Sequence, residues 1–551
     1  MRGVGAVAWA IAAVVSGCAK EPDLPDLAQI YARVVEAEAG VVANGRRPLI
    51  TIPGTLGSRL RDSATGTVVW GGGSRGLSAD PEVPEEARLI ALPIAEPELP
   101  LAELRDGVVA AGVLDFAAPE VFGVPIDIEV YAGVSRTLSA GGFRAADRPR
   151  LIDKLRHGGG VDRQFDTAEP TPAPDGAAPA LAQGPTPADY RRLTEVAINS
   201  FRFDYDWRRD LAALAQEFHD FVMLRKRQVA ARRSAISGQR VAPEDVTFDL
   251  LAHSMGGLIA RYYLMHGAVE LPADGSLPPI TWAGAEHFSR VVIVATPNAG
   301  SVLAFDNLVN GKSFGPFQPF YPSALLATHA SVWQLFPRAR HGRVRAAGTG
   351  EALDPLDPDL WRRYNWGLLD PEARDLLGWL MPEVADPFER RIRAGAHQSR
   401  LIRRAKQFQM AMDRWAPKPD HLEMFLVVGG GFATPAAAEV DLETGQVAIT
   451  GREEGDGVVL RASVLLDERQ GSDAAGGLDT PLRFDTTLFL PDEHVELTKN
   501  PVFGDNLLFW LLEQPRRPTV LAEPSAGLLT RHVGAAPAQE DPPRLGGPVD
   551  R

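Results

Sequence analysis

One cysteine, Cys18, is present in 551 residues, so no disulfide framework can brace the fold. Positive charge is also scarce: 57 Lys and Arg stand against 71 Asp and Glu, a formal net charge of -14. Nucleic-acid binding needs clustered cations on the phosphate backbone, and such a partner is not expected here. Long apolar runs are missing as well. The longest N-terminal one, Val4 to Val15, is shorter than the ~20 residues a transmembrane helix requires. Aromatic residues make up 7% of the chain, which gives weight to the places where they gather. What remains is ordinary globular material, 45% hydrophobic and 23% charged, long enough for several domains or for one large α/β fold with insertions.

The first twenty residues, M-R-G-V-G-A-V-A-W-A-I-A-A-V-V-S-G-C-A-K, place a single Arg2 before an apolar run and small residues before Cys18. That is the layout of a secretory signal. V-S-G-C resembles a bacterial lipobox, which implies a signal peptide over 1–17, a lipid anchor on Cys18 and an anchor and linker over 18–45. The expectation is an exported lipoprotein of the cell envelope, on the outer membrane, associated with lipid through that anchor.

From Arg46 the text becomes R-R-P-L-I-T-I-P-G-T-L-G-S-R-L, a buried-strand pattern broken at Pro53-Gly54. P-I-D-I-E-V followed by Y-A-G-V-S-R-T-L-S-A-G-G reads as an extended lead-in and then a helix ending in glycines. The Pro/Ala/Gly tract at 158–187 supports no regular element and reads as a flexible insertion. Beyond it, V-A-I-N-S-F-R-F-D-Y-D-W looks like a strand, Leu211 to Arg232 a helix, Val246 to Ala252 a strand, Gly256 to Met265 a helix, and V-V-I-V-A-T-P from Val291 a buried strand. Such alternation predicts a parallel sheet with helices on both faces. M-F-L-V-V-G-G-G-F and L-F-L from Leu488 supply two later strands. The resulting division is 46–300 and 422–513 as core, 301–421 as a cap rich in F-G-P-F-Q-P-F-Y, S-V-W-Q-L-F-P and L-W-R-R-Y-N-W, and 514–551 as a disordered tail. Those aromatics suit either ordinary packing or a hydrophobic cover over a lipid site.

The chemistry centres on F-D-L-L-A-H-S-M-G-G-L-I-A-R-Y-Y-L, Phe248 to Leu264. A serine nucleophile must be exposed to substrate and sit beside a base. A sharp strand-to-helix turn does both when the residues two before and two after it are small. Ala252 stands where the G-x-S-x-G pattern has its first glycine, and a methyl group is the smallest bulk that could be added there. Ser254 is therefore the candidate nucleophile, with a helix-capping serine as the structural alternative. The amide that follows it, Met255, is one expected oxyanion donor, and Thr55 in P-G-T-L-G is the other. Acid and base should follow in the order serine, acid, histidine. His494, in L-P-D-E-H-V-E after a late apolar strand, is the candidate base. His253 is expected to point away from the site. Asp456, Asp485 and Asp492 compete for the role of acid. No metal or organic cofactor is implied.

Together these segments resemble the lecithin:cholesterol acyltransferase family, which includes lysosomal phospholipase A2 and bacterial relatives. The likeness is carried by P-L-I-T-I-P-G-T-L-G-S-R-L, F-D-Y-D-W-R, A-H-S-M-G-G-L-I-A-R-Y, A-T-P-N-A-G-S, S-V-W-Q-L-F-P-R and E-G-D-G-V-V, in that order. It implies an α/β-hydrolase fold with a large cap, and an enzyme acting on lipid acyl esters. It also implies Asp456 as the acid and Thr55 and Met255 as oxyanion donors. A lipid O-acyltransferase is expected, with a lipase or phospholipase A using water as the alternative and a non-catalytic lipid-binding lipoprotein as the reading from another class. Tyr205-Asp206-Trp207-Arg208 is expected to brace the fold.

Overall fold

A computed structural model describes residues 46–145 and 198–513, apart from 74–75, 95–98, 118–119, 122–123, 126–127, 314–318 and 470–475. Cys18, the 18–45 linker, the 158–187 tract and the tail lie outside the described residues.

Six short runs pair in parallel: β1 Leu49–Ile52, β2 Ser200–Arg202, β3 Phe248–His253, β4 Phe288–Val294, β5 Glu423–Gly429 and β6 Thr486–Leu490. Their order in the sheet is β2-β1-β3-β4-β5-β6. β3 is buried along its whole length because both of its faces are covered. Ile50, Ile52, Leu250, Ala252, Val291, Ile293, Leu426 and Val428 enter one core, while Leu49, Leu251, Val292, Val294, Phe425 and Val427 enter the other. This is the α/β-hydrolase arrangement.

The helices divide accordingly. α1 Ala132–Ala140 supplies Val134 and Leu138 to the second core. α2 Leu211–Ser237 and α3 Met255–His266 pack on the first. α2 is started by the Asp210 carboxylate accepting from the Ala213 amide, and it ends at Gly238 in the left-handed region, φ 69°. All twelve residues of α3 are buried, which seats this helix directly behind the sheet. α4 Val302–Asn310 and α5 Pro387–Met412 also join the first core, and α6 Pro501–Leu508 closes the second.

The chain leaves β1 toward β2 on one side and later returns to β3 on the other side of β1. Loops at the carboxyl ends of β1 and β3 consequently diverge and leave a crevice, the usual ligand position in open α/β sheets.

One detail differs from expectation. In the described part of the run, Ile198 to Trp207, only Ser200–Arg202 pairs as strand, because the Tyr205 amide turns to Ser58 Oγ (3.1 Å) and Asp206 to Arg208 (2.7 Å). Of the two readings of the aromatics at 301–421, packing holds for a buried group, while Phe320, Phe388 and Trp415 are exposed. Trp333, Phe336 and Trp361 are fully buried and contact one another at 4.4–5.9 Å between ring centroids. Sequence periodicity did not reveal the long antiparallel pair Phe432–Val440 and Val447–Gly455, which rises from the end of β5 and delivers the chain back to it.

Candidate active site

β3 ends and α3 begins with one residue between them. Ser254 occupies that turn at φ 54°, ψ -128°, a conformation that costs an L-residue roughly 1–3 kcal/mol and persists only when neighbours enforce it. They do so here. The Ser254 amide donates to the Val294 carbonyl at 2.8 Å, and Thr296 Oγ1 donates to the Ser254 carbonyl at 2.9 Å. Ala252 is fully buried, with Ile52 and Ile293 as its register partners, so its methyl group is accommodated inside the sheet.

The second small position has no such tolerance. A Cβ on Gly256 would lie 2.4 Å from the Pro53 carbonyl oxygen and 2.8 Å from that of Ile52. Both obstacles are backbone, and they belong to the strand end that feeds the Pro53–Gly57 loop. Gly256→Ala should therefore cost about 1–3 kcal/mol of stability and lower turnover further by pushing Pro53–Gly57 away from the serine. Thermal melts read beside ester turnover check this; a variant with wild-type turnover would contradict it.

Three side chains meet at the crevice. Ser254 Oγ lies 2.9 Å from His494 Nε2, and His494 Nδ1 lies 2.7 Å from Asp456 Oδ2. The other Asp456 oxygen accepts from the amides of Val458 (3.0 Å) and Val459 (2.7 Å). Burial would raise the Asp456 pKa, but the His494 ring and these amides outweigh it and hold the carboxyl below the usual range. Asp456 is 1% exposed and His494 8%. The hairpin joining the two long antiparallel strands turns at 441–446. Asp456-Gly457 then opens a second, tight reversal after the returning strand: the Asp456 amide donates to the Val459 carbonyl at 3.1 Å, and Gly455 bridges Leu460 in antiparallel fashion. Asp456 arrives so close to β5 that a Cβ on Gly429 would stand 2.6 Å from its own.

The competing acids are engaged elsewhere. Asp485 accepts from the Met424 amide at 2.7 Å and pairs with Lys418 at 3.1 Å, at the opposite end of the sheet from Ser254. Asp492 accepts from Asn500.

The proposed oxyanion donors face each other across the crevice, with Thr55 Oγ1 3.2 Å from Met255 Sδ. Among the described residues neither the Thr55 nor the Met255 amide donates to another group. The loop that carries Thr55 is held from three sides. Tyr205 Oη donates to the Pro53 carbonyl (2.8 Å), Trp70 Nε1 to the Leu56 carbonyl (2.8 Å), and the Gly54 amide to Tyr131 Oη (2.7 Å). Leu56 sits at φ 63°, a further sign of a tightly built turn. The Tyr205–Arg208 motif thus braces this loop as well as the fold: Trp207 Nε1 donates to the Ser58 carbonyl at 3.3 Å, and the buried Arg208 bridges Asp206 (2.7 Å) and Asp106 (2.9 Å).

Residues 197–352 match the lecithin:cholesterol acyltransferase family model. Over that span the chain is similar to the lecithin:cholesterol acyltransferase family, on an α/β-hydrolase fold. No curated protein sequence matches it. Among solved structures, a chain of the Tle4–Tli4 complex is similar at 16% identity and TM-score 0.48, over 85% of this chain and 98% of that one. Lipase 1 from Pelosinus fermentans is similar at 14% identity and TM-score 0.22, over 51% and 74%. The family match supports an enzyme of lipid-ester acyl transfer or hydrolysis. The matched span includes Ser254, Met255 and the Tyr205–Arg208 brace, whereas Thr55, Asp456 and His494 lie outside it.

Tyr131 and His253 are the residues of the site that the local sequence does not disclose. Instead of pointing away, His253 lies with its ring 4.9 Å from that of His494, and burial lowers its pKa to about 3. Nothing in Y-A-G-V-S-R distinguishes Tyr131 from a packing tyrosine; its role depends on Gly54, 77 positions away.

Proposed function

We propose that this protein transfers acyl groups from lipid esters through an acyl-enzyme formed on Ser254. The observation that carries the reading is the unbroken hydrogen-bonded line Ser254–His494–Asp456 at the sheet's crevice. His494 Nε2 removes the Ser254 proton as Oγ attacks the ester carbonyl, and the tetrahedral oxyanion forms within reach of the Thr55 and Met255 amides. The proton then passes to the departing alcohol oxygen. Asp456 keeps Nδ1 protonated and stabilises the imidazolium. A second alcohol resolves the acyl-enzyme by the same steps in reverse.

Supplying purified protein with mixed phospholipid and acylglycerol donors, with and without a long-chain alcohol, tests the acceptor. New alcohol esters, identified by mass, are the expected products. Free fatty acid alone would make the enzyme a lipase or phospholipase A. No product from any ester would support the lipid-binding alternative.

A further inference from the structure

A second line of hydrogen bonds runs behind the first. The Gly54 amide donates to Tyr131 Oη at 2.7 Å, Tyr131 Oη lies 2.9 Å from His253 Nδ1, and His253 Nε2 lies 3.1 Å from the His494 carbonyl oxygen. Chemistry allows one direction only. The His494 carbonyl can only accept, so Nε2 carries the proton of the neutral ring and Nδ1 is left an acceptor. Tyr131 Oη therefore donates to Nδ1 and accepts from the Gly54 amide, which can only donate. Tyr131 is 7% and His253 6% exposed, so neither end of this chain can be replaced easily by solvent. The neutral ring it requires agrees with the direction in which burial drives His253.

Both ends reach the reacting groups. Gly54 packs against the nucleophile, where an added Cβ would stand 2.7 Å from Ser254 Cβ. With its own amide committed to Tyr131, the loop offers the next one, Thr55. At the far end the held atom is the backbone of the base itself. Tyr131 in turn is fixed from below, since its amide donates to the Asp115 carbonyl (3.2 Å) and the Asp115 carboxylate receives both Arg202 nitrogens (2.9 and 2.8 Å) from β2.

We infer that Tyr131 and His253 are positioning residues that tie the oxyanion loop to the backbone of the base, so that Thr55 and His494 keep their places relative to Ser254 as one unit. This rests on the acyl-enzyme reading. No proton moves along the line; its work is geometric.

Tyr131→Phe deletes one hydroxyl and keeps the ring that meets His253 edge-on at 5.7 Å. On a p-nitrophenyl fatty ester, kcat should fall about 10–100-fold with KM within about twofold, because a displaced oxyanion donor costs less than the 10²–10³ of a deleted one. His253→Gln, which can still donate to the His494 carbonyl but offers Tyr131 no ring nitrogen, should show the same split. The double variant should be no worse than the poorer single, since the two act in one chain. Lowered melting temperature with kcat unchanged would overturn the inference and leave Tyr131 a packing residue. A raised KM with kcat unchanged would overturn it in favour of substrate binding, and multiplicative losses in the double variant would overturn the single chain. Failure of the underlying reading looks different: wild type that does not label with a fluorophosphonate, or labelling that survives Ser254→Ala, removes the acyl-enzyme and this inference with it.

Discussion

Ser254→Ala should abolish fluorophosphonate labelling and reduce ester turnover to the assay background, a loss on the order of 10⁵-fold or more. The removed oxygen is the only atom of the line that can form the acyl bond, and neither His494 nor Asp456 can substitute for it. Folding should survive. The turn is held by the Ser254 backbone, through Val294 and Thr296, and not by its side chain. Loss of one hydroxyl also relieves no strain, because the φ of 54° is imposed on the main chain whichever small side chain sits there. Melting temperature within a few degrees of wild type, together with no turnover, is the expected pair of results. Appreciable turnover in a well-folded Ser254→Ala protein would require another nucleophile.

Asp456→Asn is expected to lower kcat by about 10⁴-fold, and the surroundings say why. The amides of Val458 and Val459 both point at Oδ1 and demand an acceptor. Asparagine satisfies them only by placing its carbonyl there, which turns its NH2 group toward His494 Nδ1. That nitrogen must then accept, the proton moves to Nε2, and a donor faces the Ser254 oxygen that needed a base. The variant should therefore keep its fold and its binding, with the loss confined to kcat. A steady-state comparison showing a large KM change and little kcat change would contradict this account. Because the wrong tautomer is enforced by backbone donors, raising pH should not restore the wild-type rate.

Much of the candidate site could be found without coordinates. The Ser254 turn is local: an apolar strand, two small flanking residues and a glycine-opened helix all fall within Phe248 to Leu264. Its glycine requirement acquired a cause only in three dimensions, where Gly256 proved to be the contact between α3 and the carboxyl end of β1. The histidine was legible as a loop residue after the last strand. Asp456 could not be separated from Asp485 and Asp492 by spacing, because all three are loop or strand-end carboxylates in the right part of the chain. Asp485 sits at the entry of β6, and only the strand direction shows that this is the wrong end of the sheet.

The aromatic-rich segment is a different case, because its residues left packing and a lipid cover equally open. Composition marks Trp333, Phe336 and Trp361 as special, but composition cannot tell which way a ring faces. Their burial against one another shows that packing accounts for them.

By itself, the sequence determined what depends on near neighbours: no internal disulfide, an alternation of strands and helices that calls for a parallel sheet, and a serine placed on a strand-to-helix turn. Tertiary structure decided every pairing of the proposed catalytic line. His494 reaches Ser254 across 240 positions and Asp456 across 38, while His253, read locally as turned away, reaches the His494 carbonyl across 241. Hydrogen bonds act over about 3 Å, so which residues share one is set by sheet order and by where each strand ends, and neither quantity is written in any short stretch of chain.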